Sequence, residues 1–428
     1  MAVLAGCAEK EEILVGKRES IYSVLSSGVE PASAIAENKS QSIRLPSQKA
    51  NAEWTHGAGS PQYRTAHPAL GAAPTLVWSA PIGAGDSKRN RIVADPVVAG
   101  GRIFTLDAHA TVAATSTAGA AVWSTDLTPP RDSAQDATGG GLAYGDGKLF
   151  VSSGFGLLTA LDPATGQLLW QQDLLASGSG APTYYKGLVY VTSGDDTGWA
   201  IEADTGRVRW QLGALPDTGN ILGAPAPAVN NKFVIFGYGD GEVQAAFRKG
   251  GMRQWVSQLA GSQRDRALTR LNDITGEPVI EGKSVYVGSN AGRMVALDLD
   301  TGERKWTAKQ GAIGTMWPVG GSVFAINLQN QLMRLNARDG SAIWSVQLPN
   351  YVKYTQRKAS EVYANYGPVV AGGRVIVATN DGLLRFFDPT DGQQVYQTEV
   401  PGGASTSAVV AGRTLYVVSS KGELHAFR

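Results

Sequence analysis

Side chains able to do covalent or metal chemistry are few in this 428-residue chain. His56, His67, His109 and His425 are scattered, and none stands at a metal-ligand spacing such as H-E-x-x-H. All four are expected at the surface or in turns. Cys7 is the single cysteine, so neither an intrachain disulfide nor a Cys-based zinc site can form. Gly282-Lys283-Ser284 resembles the end of a phosphate-binding loop. Gly276, however, lies one residue too far upstream, and the segment leads into a strand pattern rather than a helix. No G-x-S-x-G turn exposes a nucleophilic serine. Carboxylates are plentiful but fall almost entirely in turn sequences, where solvated side chains are expected. No loop carries the D-x-[DN]-x-[DN]-G series of calcium ligands. These residues imply no catalytic group, no metal and no cofactor.

Cys7 has a chemistry of position instead. Leu4-Ala5-Gly6-Cys7 matches the bacterial lipobox, in which small residues admit the processing peptidase to the bond before a cysteine that is then acylated through sulfur. Six residues before Cys7 are too few for an export signal, so a start upstream of Met1 is expected. A chance match in a cytosolic protein is the alternative. Acylation would add about 0.8 kcal/mol of membrane affinity per buried methylene. Ala8, rather than Asp, fits sorting to the outer membrane. No stretch approaches the roughly 20 apolar residues of a membrane-spanning helix. A net charge of +1 gives no field for nucleic acid.

The elements that would position any site come from a repeat. Fifty-three glycines and 18% charged residues suit short strands joined by tight turns. Gly147 to Trp170 and Gly282 to Trp306 are the clearest copies: an apolar strand, a Gly turn, a second strand, an Asp/Gly turn and an aromatic. The aromatics ending the units are Trp78, Trp123, Trp170, Trp210, Trp255, Trp306, Trp344 and Tyr396, spaced by 38 to 52 residues. That period means propeller blades of four strands. Each Trp is expected to lay its ring on the next blade and find a partner for its N–H. The turns Asp162 to Gly166, Asp298 to Gly302 and Asp388 to Gly392 read as backbone devices, with Asp capping and Gly at positive φ. Trp78 ends a strand with no predecessors, while Arg413 to Phe427 supplies strands and no Trp. Joined, they close an all-β, eight-bladed propeller through its two termini. Residues 1–7 are then a signal remnant with lipobox, 8–72 a flexible tether with a short helix near Lys17 to Ser26, and 73–428 the propeller. Trp54 is expected to dock the end of the tether on the first blade.

Over 73–428 these repeats resemble the pyrroloquinoline-quinone propeller superfamily, which holds both dehydrogenases and non-catalytic scaffolds. Within it, the lipobox, the loop Arg270 to Ile280 and the stretch Gly219 to Pro227 are similar to the BamB family of outer-membrane assembly factors. The resemblance implies a non-catalytic scaffold lipoprotein at the periplasmic face of the outer membrane of a Gram-negative bacterium. It also implies partners: the periplasmic domains of the barrel-inserting subunit BamA, other subunits of that complex, and unfolded outer-membrane proteins.

In that family the two loops form the contact. Asp273 matches the first loop acid, Thr275 stands in place of the second, and Glu277 offers a charge two residues on. Arg270 opens the same loop. Ile221 matches an apolar contact, whereas Leu222 replaces an arginine and Gly219 a leucine, so the docking surface is expected to be altered. A turn-capping role for Asp273 stands beside the contact role. Two other functions remain open. A quinoprotein dehydrogenase would hold a quinone and calcium on the axis, but this chain is short for that class and lacks its paired cysteines. An envelope propeller binding glycan or another protein would leave no motif.

Overall fold

The computed structural model describes residues 37–428 except 66, 137–138, 179, 215–223, 260–273, 275 and 354–360. Among them are eight four-stranded antiparallel sheets and no helix. Seven sheets are built from consecutive strands, spanning residues 97–126, 140–173, 183–213, 228–258, 279–308, 312–347 and 365–399. These are blades 1 to 7. The eighth combines Val409–Ala411, Thr414–Val418 and Glu423–Phe427 with Leu76–Pro81 from the other end of the chain. Thr75 and Arg428 exchange backbone hydrogen bonds of 3.0 and 2.9 Å beside this joint. The expected eight-bladed propeller with closure through both termini is therefore the fold, and pairing first strand with last removes an open sheet edge.

One turn shows why the blades adhere. Asp162 Oδ1 accepts the backbone N–H groups of Ala164 and Thr165 at 2.7 and 3.0 Å, capping the turn. Gly166 follows at φ 75°. A Cβ there would lie 2.5 Å from the ring of Trp123, which comes from the preceding blade. Glycine is required both for the backbone and for the space. Trp123 then donates its indole N–H to Pro163 O at 3.1 Å. The same seam recurs with Trp78 on Gly119, Trp170 on Gly206, Trp210 on Gly251, Trp255 on Gly302, Trp306 on Gly340 and Trp344 on Gly392. Tyr396 completes the circle by donating to Pro74 O at 3.1 Å. Seven of these eight rings also pack on an aromatic of their own blade, such as Phe150 under Trp170 or Phe324 under Trp344, with centroids 5.9 Å apart in both cases. Seams of this kind combine a large apolar area with a satisfied polar tip.

Residues 37–72, expected to belong to a flexible tether, are instead laced onto the propeller. Lys39 N–H donates to Ile343 O at 2.9 Å, and Asn38 brackets Ser345 with two 2.9 Å bonds, so the chain first lies along the outer strand of blade 6. It then crosses the axis and touches every blade. Asn51 O accepts from Gly412 in blade 8, and Trp54 exchanges two backbone bonds with Val98 in blade 1. Thr55 O accepts from Tyr144 in blade 2, Pro61 O from Val229 in blade 4 and Gln62 O from Ile280 in blade 5. Arg64 Nε reaches Pro318 O in blade 6, and Pro68 O accepts from Gly372 in blade 7. Blade 3 is held through His56. Composition misled because Ser, Asn and Pro are usual in linkers, whereas here their polar groups satisfy strand-end amides that face the axis. Trp54 does dock on blade 1, and it also stacks on Trp317 of blade 6 at 6.2 Å with an interplanar angle of 20°.

The histidines correct the surface expectation. His56, His67 and His425 are 1%, 3% and 0% exposed. The Tyr184 N–H donates to His56 Nε2 at 3.1 Å, and burial lowers the imidazole pKa to about 3, so the ring stays neutral. His67 is within 2.7 Å of Pro46 O through Nδ1 and accepts from Gly373 N–H through Nε2 at 2.8 Å. His425 sits between Ser79 Oγ and Pro401 O, and burial lowers its pKa as well. Only His109, beside a turn, keeps partial exposure.

Candidate functional site

Strand pairing puts the blades in common register at the axis. Val97 pairs with Phe104 in blade 1, and the matching pairs are Ala143 with Phe150, Thr183 with Tyr190, Ala228 with Ile235 and Val279 with Tyr286. In blades 6 to 8 they are Trp317 with Phe324, Val369 with Ile376 and Val409 with Tyr416. Two residues before the first member of each pair is one ring position, occupied by Asp95, Gly141, Ala181, Ala226, Glu277, Thr315, Gly367 and Ser407. A proline follows at Pro96, Pro182, Pro227, Pro278 and Pro368. Proline lacks an N–H and is tolerated where a strand begins. Only two members of the ring are ionisable.

Asp95, Glu277, Thr315, Gly367 and Ser407 all line a cavity of about 1210 Å³. Gly57 and Ala58 of the lacing segment form another part of its wall, and Trp317, with Trp54 stacked behind it, forms a further part. The loop from Asp86 to Asp95 folds over one side. Asp86 holds it by accepting Ile92 N–H at 2.8 Å and Ser405 Oγ–H at 2.9 Å, with Arg91 Nη1 3.5 Å away. Asp95 accepts Ser407 N–H at 2.8 Å from the adjacent ring position.

The two acids are perturbed. Burial pushes Asp95 up to about 6, partly offset by its bonds to Ser407. Burial, and secondarily the charge of Asp95, pushes Glu277 up to about 7. Both keep some surface towards the cavity while the rest of each carboxyl is enclosed by protein. Tyr63 lies behind them, with its phenol at 3.0 Å from Thr183 Oγ1; burial and then the charge of Glu277 hold it protonated. The arrangement is a concave site with two under-solvated carboxylates at its base.

The expectation of solvated turn carboxylates therefore fails at Asp95 and Glu277. The signal that could have found them is the repeat register, since each is an acid immediately before the proline that opens a first strand. Of the expected contact residues, Glu277 lines this cavity. Ile221, Leu222, Arg270, Asp273 and Thr275, with Gly219, lie outside the described residues, as do Cys7 and the segment from Lys17 to Ser26. The Trp and Tyr residues expected to dock blades are all at seams.

Among the described residues, no three His, Cys, Asp or Glu side chains converge to hold a metal. Trp54 and Tyr63 of the chain's own N-terminal segment are fully buried. Fold and repeats together define an eight-bladed propeller of the pyrroloquinoline-quinone type. A family model described as outer membrane protein assembly factor BamB matches residues 108–346 and 328–428, and the chain belongs to that family.

Outer membrane protein assembly factor BamB of Yersinia pestis is 26% identical over 365 residues, covering 83% of this chain and 89% of that one. The protein of the same name from Shewanella oneidensis is 27% identical over 363 residues, covering 82% and 88%. Among solved structures, BamB from Moraxella catarrhalis superposes with a TM-score of 0.68 at 19% identity, over 83% of this chain and all of that one. Quinohemoprotein alcohol dehydrogenase from Comamonas testosteroni reaches 0.67 at 16% identity, over 88% and 80%. At such identities the likeness to the solved structures is one of fold alone.

Proposed function

We propose that this chain is a scaffold lipoprotein of the outer-membrane β-barrel assembly machinery, acylated at Cys7 and held at the periplasmic face of the outer membrane. There it binds the periplasmic domains of BamA and assists insertion of outer-membrane proteins. Membership of the BamB family over most of the chain carries this reading. A ring closed by its termini and laced by residues 37–72 suits a rigid platform, because interface loops on a stiff frame lose little entropy on docking. The contact is assigned to the loops holding Ile221 and Leu222 on one side and Arg270, Asp273, Thr275 and Glu277 on the other. Apolar centre and charged rim are the usual division at such a surface.

The test is a pull-down from detergent-solubilised membranes with the tagged full chain, comparing wild type with Asp273→Arg and Leu222→Glu. Recovery of BamA with wild type, lost in both variants at unchanged melting temperature, is the expected result. Failure to recover BamA with wild type would replace this reading by an envelope propeller with another ligand, which the axial cavity then favours.

A further inference from the structure

The axial cavity has features that docking through the loops does not use. At about 1210 Å³ it exceeds the usual small-molecule pocket. Val93, Ile313, Tyr351 and Val362 line it and are 37% to 52% exposed, so apolar surface borders the opening. Ala312–Val319 and Asn365–Ala371 are the innermost strands of blades 6 and 7, each with no strand partner on one edge among the described residues. Their register is interrupted between Ile313 and Trp317 and between Tyr366 and Val369, beside the cavity. Gln329 lines the wall, and its Oε1 is buried with no hydrogen-bond partner among the described residues. At the base, Asp95 and Glu277 have no cationic partner among the described residues, whereas Asp86 has Arg91.

We propose that this cavity binds an extended polypeptide segment in which a Lys or Arg side chain stands among apolar residues, its cationic head placed between Asp95 and Glu277. The inference rests on the assembly-scaffold reading only in supplying unfolded chains as the occupants. Apolar side chains of the segment cover the rim, and its backbone lies against inner strand edges, as added strands do. The basic head supplies the charge that two buried carboxylates lack, and a buried charge without a partner is costly. A side-chain cation fits better than a metal ion, since no third ligand converges among the described residues. Arg91, a cation that also lines the cavity, is engaged by Asp86 on the covering loop.

The experiment uses the full chain and a fluorescein-labelled peptide, acetyl-Leu-Thr-Val-Lys-Val-Thr-Leu-amide, beside its norleucine analogue at the central position. Anisotropy titrations are expected to show the lysine peptide binding about tenfold tighter to wild type, the effect of one desolvated charge pair. In Asp95→Asn/Glu277→Gln the ratio falls to about one while the norleucine peptide binds as before. Val362→Asp at the rim weakens both peptides. Calorimetry at pH 7 in two buffers adds a second readout: the lysine peptide expels protons from the carboxylates and its analogue does not. Equal affinity of the two peptides for wild type, no binding of either, or a ratio unchanged in the double variant would overturn the proposal. Asp95→Asn alone, which leaves the assigned contact loops untouched, is expected to lower the peptide ratio and still recover BamA in the pull-down, so loss of cavity binding alone leaves the scaffold reading intact, and loss of BamA from wild type sinks that reading alone.

Discussion

The seams between blades and the propeller axis are built on opposite principles. The seams repeat one solution: seven Trp rings lie over a turn glycine, and six of these, together with Tyr396, donate to the next blade's backbone. The axis is less regular: eight equivalent positions carry six residue types, and a segment from outside the repeat ties their inner ends together. Repetition serves closure, because every seam must have the same shape if the ring is to close. A ligand-sized asymmetric space needs the reverse.

The largest effect is expected at a seam. Trp344 is fully buried and donates to Pro389 O at 3.1 Å, so Trp344→Ala should cost about 3–5 kcal/mol in urea unfolding. A loss under 1 kcal/mol would show that the seams are not what holds the ring. Trp54→Ala probes the axis with the same chemistry, removing the stack on Trp317. Because only one segment is involved, about 2–4 kcal/mol is expected, with faster hydrogen exchange in Ala312–Val319 than in Leu157–Leu161, a remote strand. Uniform acceleration of both would mean that the lacing segment is no more local than a seam.

His67→Ala is expected to cost about 1–3 kcal/mol by leaving Gly373 N–H without its acceptor. Asn at that position should recover part of the loss, since its side-chain oxygen can accept the same bond. A surface histidine would have shown no such dependence.

An effect of similar size, but dependent on pH, best separates axis from seam. Asp95 and Glu277 titrate in the folded chain near 6 and 7, above their ordinary values of 3.8 and 4.5. A carboxyl raised on folding binds more protons in the native state, so it destabilises the fold as pH rises through that window. Asp95→Asn/Glu277→Gln should therefore be more stable than wild type at pH 8, by about 1–3 kcal/mol, and the advantage should vanish towards pH 4. Taking the difference between the two proteins removes the contribution of His56. Its lowered pKa acts in the other direction, costing stability as pH falls below 6.5. Parallel stability curves for wild type and variant would mean that the two carboxyls are as solvated as any turn acid.

This contrast also explains what could be read from the residues in order. The Trp spacing, the Asp/Gly turns and the unmatched strands at the two ends sufficed for blade number and closure, because each follows from local backbone chemistry repeated many times. The path of residues 37–72 was invisible, since its polar groups pair with backbone amides distant in sequence and leave no periodic pattern. His56, His67 and His425 looked like surface residues for the same reason, as each has a partner distant in sequence: Tyr184, Gly373 and Ser79. Asp95 and Glu277 were legible only once the blades were aligned to one another, and were masked by the usual role of Asp and Glu in hairpins.

The most direct test of the central claim is photocrosslinking in cells with one benzophenone side chain placed at Leu222, at Asp273 or at Val362. The account predicts that BamA is captured from the first two positions, and that newly made outer-membrane proteins, not BamA, are captured from the cavity rim at Val362. Capture of BamA from Val362 alone, or from none of the three while the protein remains folded and membrane-bound, would contradict it.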